Sequence, residues 1–337
     1  MNIVLIEFEK VSTESEAKMR SIVFVTLLIV VQSLANERQW QQFKETYNKN
    51  YDITKENYRF NIFINNLRRI EEHNIRYHNG EVKYSLGINQ FADLTAEEFI
   101  SRITNPISNT LPASNSDVEI TGDVPDEIDW REKGAVIGVK NQLEGCKSSW
   151  AFTATGVIEG QIAIHNKQNI SLSEQQLIDC STEYHYNRGC RDGNSDYALL
   201  FIHDHGICSE SDYPYTATEG SCQNCSLVLE TVAYPTSVLE NEISLKQIVG
   251  TVGPVAVALS VNENWQLYKG GIFDDSTCTG YAINYWSLAV GYGTDNGTDY
   301  WIVRNSLGES WGEDGYIRMI RGKKVCNINQ QPWYALL

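Results

Sequence analysis

The sequence predicts an α+β fold in which a helical half of the chain is followed by a β-rich half. Residues 150–167 carry small and apolar side chains at helical spacing, as expected of a buried central helix: Ala151, Ala154, Ile158 and Ile162. Beyond about Tyr234 the chain contains β-type runs separated by Gly and Asn turns: Pro254–Leu259, Trp286–Tyr292 and Tyr300–Arg304. All eight cysteines follow Val124, which favours a disulfide-bonded protein of an oxidising compartment.

The N-terminal 35 residues predict an extension and a secretory signal. The apolar run 21–35 is too short to span a bilayer comfortably, and it ends in the small-x-small pattern Ser33-Leu34-Ala35. Residues 1–18 are polar and acidic, which is unusual before a signal, so translation could start at Met19. We expect cleavage after Ala35 and a secreted, extracellular protein, or one of the secretory or endolysosomal lumen, without a membrane anchor.

Charge and composition exclude several classes of partner. The formal net charge is −16, and the residues after Val124 include 14 Lys and Arg against 26 Asp and Glu. Nucleic acids and anionic membranes require clustered basic residues, so we expect neither as a partner. No ligand quartet has metal-type spacing, and we expect no metal or cofactor.

The segments before and after Val124 differ in character. Residues 59–74 place Phe63, Leu67 and Ile70 on one face of a predicted helix. Residues 101–123 are rich in Ser, Asn, Thr and Pro, which indicates a linker. After it, Ser171 and Glu174 form a capping-box pattern that predicts the start of a second helix.

Three segments together resemble papain-like cysteine proteases. Lys147–Phe152 is similar to the nucleophile run Gly-Ser-Cys-Trp-Ala-Phe of that family. Residues 59–74 and Gly87–Asp93 match its two propeptide motifs. The resemblance implies a papain-like two-lobed fold, with a helical lobe, a β-barrel-like lobe and a helical N-terminal propeptide.

The same resemblance divides the chain into segments. An inhibitory-type propeptide covers residues 36–122, and a mature domain covers 123–337. Within the mature domain the helical lobe is about 123–233 and the β lobe 234–337. The propeptide is therefore one expected partner of the mature domain.

Four disulfides follow from the cysteine count and the resemblance. The family pattern implies three pairs: Cys146–Cys190, Cys180–Cys222 and Cys278–Cys326. Cys208 and Cys225 remain, and a local disulfide between them is our first interpretation, with a zinc site as the alternative. The triplets that begin at Asn169, Asn224 and Asn296 are glycosylation acceptors by rule.

The predicted catalytic residues depart from the family pattern. Ser149 stands where the resemblance places the nucleophilic Cys, and Tyr285 stands where it places the His. Asn305 retains the orienting amide, and Gln142 matches the oxyanion donor, although seven positions instead of six separate it from Ser149. A hydroxyl ionises far less readily than a thiol, and a phenol with a pKa near 10 is a poor substitute for imidazole.

The predicted substrate cleft also differs from the family pattern. The family often has Cys-Asn-Gly-Gly followed by apolar residues, whereas this chain has polar residues in that run: Asp192, Gly193, Asn194 and Ser195. Leu307 replaces a tryptophan that covers the His–Asn bond.

These departures predict a secreted, proteolytically inactive homologue that acts by binding an unknown protein or peptide, as a decoy or competitor in a host interaction. The alternative is an active papain-family peptidase or hydrolase with Ser149 as its nucleophile. A purely structural or storage protein is a third interpretation. Among relatives, the motifs are most similar to mite group 1 allergen-type proteases and the inactivated paralogues of parasitic mites.

Overall fold

The computed structural model describes residues 31–107, 110–112, 123–183 and 186–337, together with Met19 and Phe24. The predicted signal lies mostly outside the described residues. The chain forms two compact units, Met1–Asn66 and Leu67–Leu337. Within the described part, no helix has both the length and the apolar character needed to cross a bilayer.

The first unit is built around an aromatic cluster. Helix α1 (residues 31–46) contributes Trp40 and Phe43, and helix α2 (Ile53–His78) contributes Phe63. The Trp40 and Phe43 rings stack with centroids 5.4 Å apart, and Phe63 lies 4.9 Å from Phe43. The indole of Trp40 donates to Glu56 at 2.7 Å. The helix expected at residues 59–74 is therefore confirmed, with Phe63 fully buried.

In the described residues of the second unit there are five further α-helices and eleven strands. The helices are α3 (Ala96–Ile103), α4 (Ser149–Asn166), α5 (Glu174–Cys180), α6 (Ser195–His205) and α7 (Glu242–Thr251). The strands are β1 (Tyr84–Leu86), β2 (Ile128–Asp129), β3 (Ile207–Cys208), β4 (Leu227–Leu229), β5 (Thr236–Ser237), β6 (Val255–Leu259), β7 (Tyr268–Phe273), β8 (Tyr285–Asp295), β9 (Thr298–Arg304), β10 (Tyr316–Ile320) and β11 (Trp333–Tyr334).

One twisted sheet dominates the C-terminal half. Its strand order is β1-β7-β10-β9-β8-β6-β11-β5, with β2 paired to β8. Neighbours are antiparallel except for β10 and β7, and β3 and β4 form a separate ribbon. Strand β1, which precedes the linker, extends the sheet by pairing Tyr84 with Gly271. The predicted α+β fold and the three predicted β runs are confirmed.

The central helix α4 is buried over nearly its whole length, as its small and apolar residues predict. Close packing leaves no room for a side chain at Gly156, within α4, or at Gly193, which lies against α4. A Cβ on Gly156 would lie 2.2 Å from the guanidinium of Arg304, and one on Gly193 would lie 2.4 Å from the ring of Trp150. This packing fixes the N-terminal end of α4, where Ser149 lies.

The capping box predicted for Ser171 and Glu174 is wrong. The N-cap of α5 is Ser173, whose side chain accepts the Gln176 N–H at 3.0 Å. Glu174 instead accepts from Lys140 and Thr155, each at 2.6 Å. The hydrogen bond from the Lys140 ammonium group is charge-assisted, and such bonds are stronger than the bond to a backbone N–H that a capping box would provide.

All four expected disulfides are present: Cys146–Cys190, Cys180–Cys222, Cys208–Cys225 and Cys278–Cys326. Cys208 and Cys225 lie with Asp212 in a group that could offer metal ligands. Because both sulfurs are consumed by the disulfide, neither is a thiolate that could bind zinc. The zinc alternative is therefore wrong for this oxidised chain.

Replacing both Cys208 and Cys225 with Ser should lower the free energy of unfolding by about 3 kcal/mol, because the unfolded chain gains the freedom of a loop of about 16 residues. Chemical denaturation of both proteins measures this change. Thiol labelling of the unreduced native protein should find no free cysteine, and labelled thiols at these two positions would contradict the prediction.

Candidate active site

Ser149 is the first residue of α4 and is fully buried. Its Oγ accepts a hydrogen bond from the Trp286 backbone N–H at 3.4 Å. Trp286 belongs to β8, so the two halves of the fold meet at the serine. The first turn of a helix has unpaired N–H groups and a partial positive charge, which suit a developing negative charge.

Tyr285 and Gln142 lie in one buried hydrogen-bond network. The Tyr285 hydroxyl is 3.1 Å from Gln142 Oε1 and 2.9 Å from Ser306 Oγ, and Ser306 donates to the same Gln142 oxygen at 2.7 Å. Burial raises the pKa of Tyr285 far above its ordinary value, so the phenol stays neutral. Ser306, which the sequence analysis missed, adjoins the predicted Asn305 and could have been suspected for that reason.

Asn305 is held by its backbone, whose N–H donates to the Gly315 carbonyl at 3.0 Å. Its side-chain oxygen accepts the Ser306 N–H at 3.1 Å. Its Nδ2 is buried and has no hydrogen-bond partner among the described residues. The orienting amide is thus preserved in position, with its donor unused.

Leu307 is also buried and pairs with Asn141 through an isolated bridge. This bridge ties the segment after Asn305 to the segment before Gln142. Leu307 therefore contributes to the shape of the site through its backbone and through apolar packing.

The loop between Gln142 and Ser149 accommodates its extra residue by unusual backbone angles. Leu143 has φ 60° and Gly145 has φ 105°, both in the left-handed region. The Gln142 Nε2 donates to the Cys146 carbonyl at 3.3 Å within this loop. Glu144 projects outward and forms an ion pair with Arg102 of α3.

The predicted cleft residues are used mostly to hold the fold. Asp192 pairs with Arg188, and Gly193 packs against Trp150. The Ser195 hydroxyl donates to the Trp150 carbonyl at 2.8 Å, and the Asn194 N–H donates to Asn187 at 2.9 Å. The polar groups of Asp192, Asn194 and Ser195 therefore form hydrogen bonds and an ion pair within their own lobe.

A stretch of chain before the mature domain lies between the two lobes. We call residues 103–107 and 110–112 the cleft segment. The Ile103 carbonyl is 3.5 Å from Gln142 Nε2. Asn105 and Ile107 then donate their N–H groups to the carbonyls of Asn284 and Ile283, at 3.0 and 3.2 Å. The cleft segment thus contacts Gln142 and the residues next to Tyr285, and we call the surface that it covers the groove.

At its far end the cleft segment meets Asp196, which the sequence analysis missed. Leu111 donates its N–H to Asp196 Oδ2, and the Thr110 hydroxyl donates to Gln331 at 2.7 Å. Asp196 is fully buried, and burial raises the pKa of its carboxyl to about 6. Only its place beside Asn194 and Ser195 could have drawn attention to it.

A buried charge cluster supports the site from behind. Lys140 Nζ lies 2.9 Å from Glu159 and 2.6 Å from Glu174, and Arg304 lies 3.7 Å from Glu159. Burial raises the pKa of Glu174 to about 7, because its effect is larger than the opposing effect of the Lys140 charge. Lys140 and Arg304 also line a small cavity with Asn305, so the cluster adjoins the site.

The candidate nucleophile that the arrangement offers is a hydroxyl and not a thiolate. Ser149 lies at the helix N-terminus, and Gln142 Nε2 points to a peptide carbonyl. Within the described residues, no histidine is hydrogen-bonded to Ser149. Transfer of the Ser149 hydroxyl proton must therefore proceed without a histidine as the base.

Comparison with protein families and known structures agrees with this architecture. The model of the family described as papain family cysteine protease matches residues 124–336. The model described as cathepsin propeptide inhibitor domain (I29) matches residues 40–99. The segment before the linker is therefore a propeptide. This confirms the prediction that the chain carries its own propeptide as a partner.

Individual relatives are similar along nearly their whole length. A cathepsin L-like proteinase of Fasciola hepatica is 42% identical and covers 92% of this chain and 96% of that relative. Digestive cysteine proteinase 1 of Homarus americanus is 39% identical over 88% of this chain and 93% of that relative. The structure of digestive procathepsin L 3 of Tenebrio molitor has a TM-score of 0.81 and 41% identity, over 90% and 99% of the two chains.

These relatives correct the expectation of an inactive binding protein. They are named as proteinases and point to an enzyme. The propeptide inhibitor domain is also retained, and the cleft segment that follows it contacts the residues next to Tyr285. The prediction of inactivity relied on the changed side chains of the site. It gave too little weight to the protease domain and the propeptide, which are both preserved.

Proposed function

Because the chain belongs to the papain family of cysteine proteases, we propose that it is an active peptidase whose nucleophile is the Ser149 hydroxyl. The observation that carries the proposal is the cleft segment, a peptide backbone that contacts Gln142 and Asn284, close to the Trp286 N–H that binds Ser149. The named proteinases among the relatives support it.

The proposed chemistry is acyl transfer. The Ser149 oxygen attacks the substrate carbonyl carbon while Gln142 Nε2 and the N–H groups that begin α4 stabilise the oxyanion. The C–N bond then breaks, and the hydroxyl proton leaves with the amine. Water subsequently hydrolyses the acyl-serine and restores the hydroxyl. Because no imidazole assists the transfer, we expect slower turnover than a thiolate–imidazolium pair would give.

The test compares the intact precursor with a chain cut within residues 113–122 by an added protease at an inserted recognition site. We expect the precursor to be silent and the cut chain to hydrolyse a broad fluorogenic peptide library once the N-terminal fragment has dissociated. The reason is that residues 103–107 occupy the groove in the precursor. Absence of turnover in the cut chain, with its fold shown intact by circular dichroism, would contradict the proposal.

Several finer features belong to the same proposal. The extension and signal cover residues 1–35, the propeptide 36–122 and the mature domain 123–337. The precursor enters the secretory pathway, as the four disulfides favour. Glycans are attached at one or more of the acceptors Asn169, Asn224 and Asn296. A particular likeness to mite group 1 allergen-type proteases stays a prediction.

A further inference from the structure

Three side-chain hydroxyls hold Gln142 in one orientation. Its backbone N–H donates to the Ser306 carbonyl at 2.8 Å, and its backbone carbonyl accepts the Tyr215 hydroxyl at 2.7 Å. Its side-chain Oε1 accepts from Ser306 Oγ at 2.7 Å and from the Tyr285 hydroxyl at 3.1 Å. An amide oxygen has two lone pairs, so these two hydroxyls occupy both. Residues that follow the linker therefore set the orientation of Gln142.

The side-chain nitrogen of Gln142 faces two carbonyl groups. Its Nε2 donates to the Cys146 carbonyl at 3.3 Å, within the loop before Ser149, and to the Ile103 carbonyl of the cleft segment at 3.5 Å. Turning the amide over would bring Oε1 against these two carbonyl oxygens and would remove it from the two hydroxyl donors. The donors at Oε1 therefore keep the amide N–H groups directed towards the groove.

Tyr215 connects the two ends of the loop that precedes Ser149. Its hydroxyl donates to the Gln142 carbonyl and also lies 2.8 Å from Ser148 Oγ. A carbonyl can only accept, so the phenol uses its proton there, and Ser148 donates to the phenol oxygen. The Tyr215 ring packs edge-on against Phe152 of α4, with the centroids 4.9 Å apart. This contact with the buried helix fixes the position from which the hydroxyl donates.

Tyr285 holds the side chain of Gln142 in the same way that Tyr215 holds its backbone. It is the first residue of β8 and is fully buried, with its hydroxyl between Gln142 Oε1 and Ser306 Oγ. Burial raises the pKa of both tyrosine hydroxyls well above the ordinary value, so each keeps the proton that it donates. A phenol that stays protonated orients a neighbouring acceptor by donating to it.

We infer that Tyr215 and Tyr285 are positioning residues, whose hydroxyls hold the two carbonyl oxygens of Gln142 so that Nε2 donates to the peptide carbonyl in the groove. This inference rests on the proposed function, since the same Nε2 is the proposed donor to the oxyanion. The phenol at position 285 thus supplies an orienting donor where the family has a base. A donor that is already oriented binds a carbonyl without first losing side-chain entropy.

The experiment measures how strongly the groove distinguishes a peptide carbonyl from a thiocarbonyl, which is a weaker hydrogen-bond acceptor. It uses the full chain carrying Ser149→Ala and cut within residues 113–122, with its N-terminal fragment fluorescently labelled. One competitor is the synthetic peptide ISRITNPISNTL, which reproduces residues 100–111, and the other has sulfur in place of the Ile103 carbonyl oxygen. Anisotropy reports the concentration of each peptide that displaces half of the fragment, and the ratio of the two concentrations is the readout.

We expect the thioamide peptide to require an about fivefold higher concentration, as the loss of one hydrogen bond gives. In Gln142→Met the two peptides should displace the fragment equally, because the donor is absent. Tyr215→Phe and Tyr285→Phe keep the rings, and each should reduce the ratio to about twofold or less, because Nε2 is no longer held towards the carbonyl. Lost packing alone would weaken both peptides equally and leave the ratio unchanged.

Tyr234→Phe, which changes an exposed tyrosine outside the site, should keep the ratio of the parent chain. Equal displacement by the two peptides in the parent chain would overturn the inference, because Nε2 would then not bind the carbonyl. A ratio that stays unchanged in both Tyr215→Phe and Tyr285→Phe would overturn it as well. If circular dichroism shows that one of these variants does not fold, the ratio in the other decides.

Failure of the proposed function remains distinguishable, because the ratio is measured without turnover. A ratio that depends on the two tyrosines, with no hydrolysis by the wild-type cut chain, would support the positioning role and remove the peptidase proposal. Hydrolysis by that chain, with a ratio that is unchanged in both tyrosine variants, would remove the positioning role and keep the peptidase proposal.

Discussion

Ser149→Ala lowers turnover by the cut chain at least about 1,000-fold, because loss of the nucleophile removes the covalent route and leaves only oxyanion stabilisation and binding. Ser149 begins α4, and its Oγ has a single described contact, the Trp286 N–H at 3.4 Å. Initial rates on the fluorogenic peptide library measure the loss. Unchanged circular dichroism and denaturation midpoint would show that the substitution acts on chemistry.

A fluorophosphonate probe gives a second readout of the same hydroxyl. The wild-type cut chain should gain the mass of one probe on the peptide that contains Ser149, and Ser149→Ala should gain none. Ser221→Ala, which changes an exposed serine, should keep both turnover and labelling. If Ser149→Ala retains full turnover, another group is the nucleophile and the assignment of Ser149 fails.

Much of the fold could be predicted because its elements have strong periodic patterns. The apolar spacing in α2 and α4 predicted both helices, and the runs in β6, β8 and β9 predicted the central strands. The positions of Gln142, Ser149, Tyr285 and Asn305 followed from motifs, and the structure brings these residues to one region.

Contacts between distant segments could not be predicted in the same way. Asp196 meets Leu111 only because the cleft segment lies between the lobes, and nothing in the local sequence indicates this. Glu144, in the loop before Ser149, pairs with Arg102 of α3, and no local pattern indicates this contact. Ser171 matched a local capping pattern, but the distant Lys140 engaged Glu174 and moved the cap to Ser173.

Lys140→Met should lower the free energy of unfolding by about 3–5 kcal/mol at pH 7.5, because it leaves Glu159 and Glu174 buried without their shared cation. Both carboxyl side chains are 1% exposed, so water cannot replace the ammonium group. Urea denaturation monitored by tryptophan fluorescence measures the change. Lys133→Met, which removes an exposed lysine, should change stability by less than about 0.5 kcal/mol.

The pH dependence of this loss tests its cause. Burial already raises the pKa of Glu174 to about 7, and removal of Lys140 should raise it further. A carboxyl whose folded pKa exceeds its unfolded value binds more protons when folded, so stability falls as pH rises from about 4.5 through the folded pKa. Lys140→Met should therefore cost less at pH 5 than at pH 7.5, and adding Glu174→Gln should restore part of the stability. An equal loss at both pH values would mean that lost packing, not uncompensated charge, destabilises the variant.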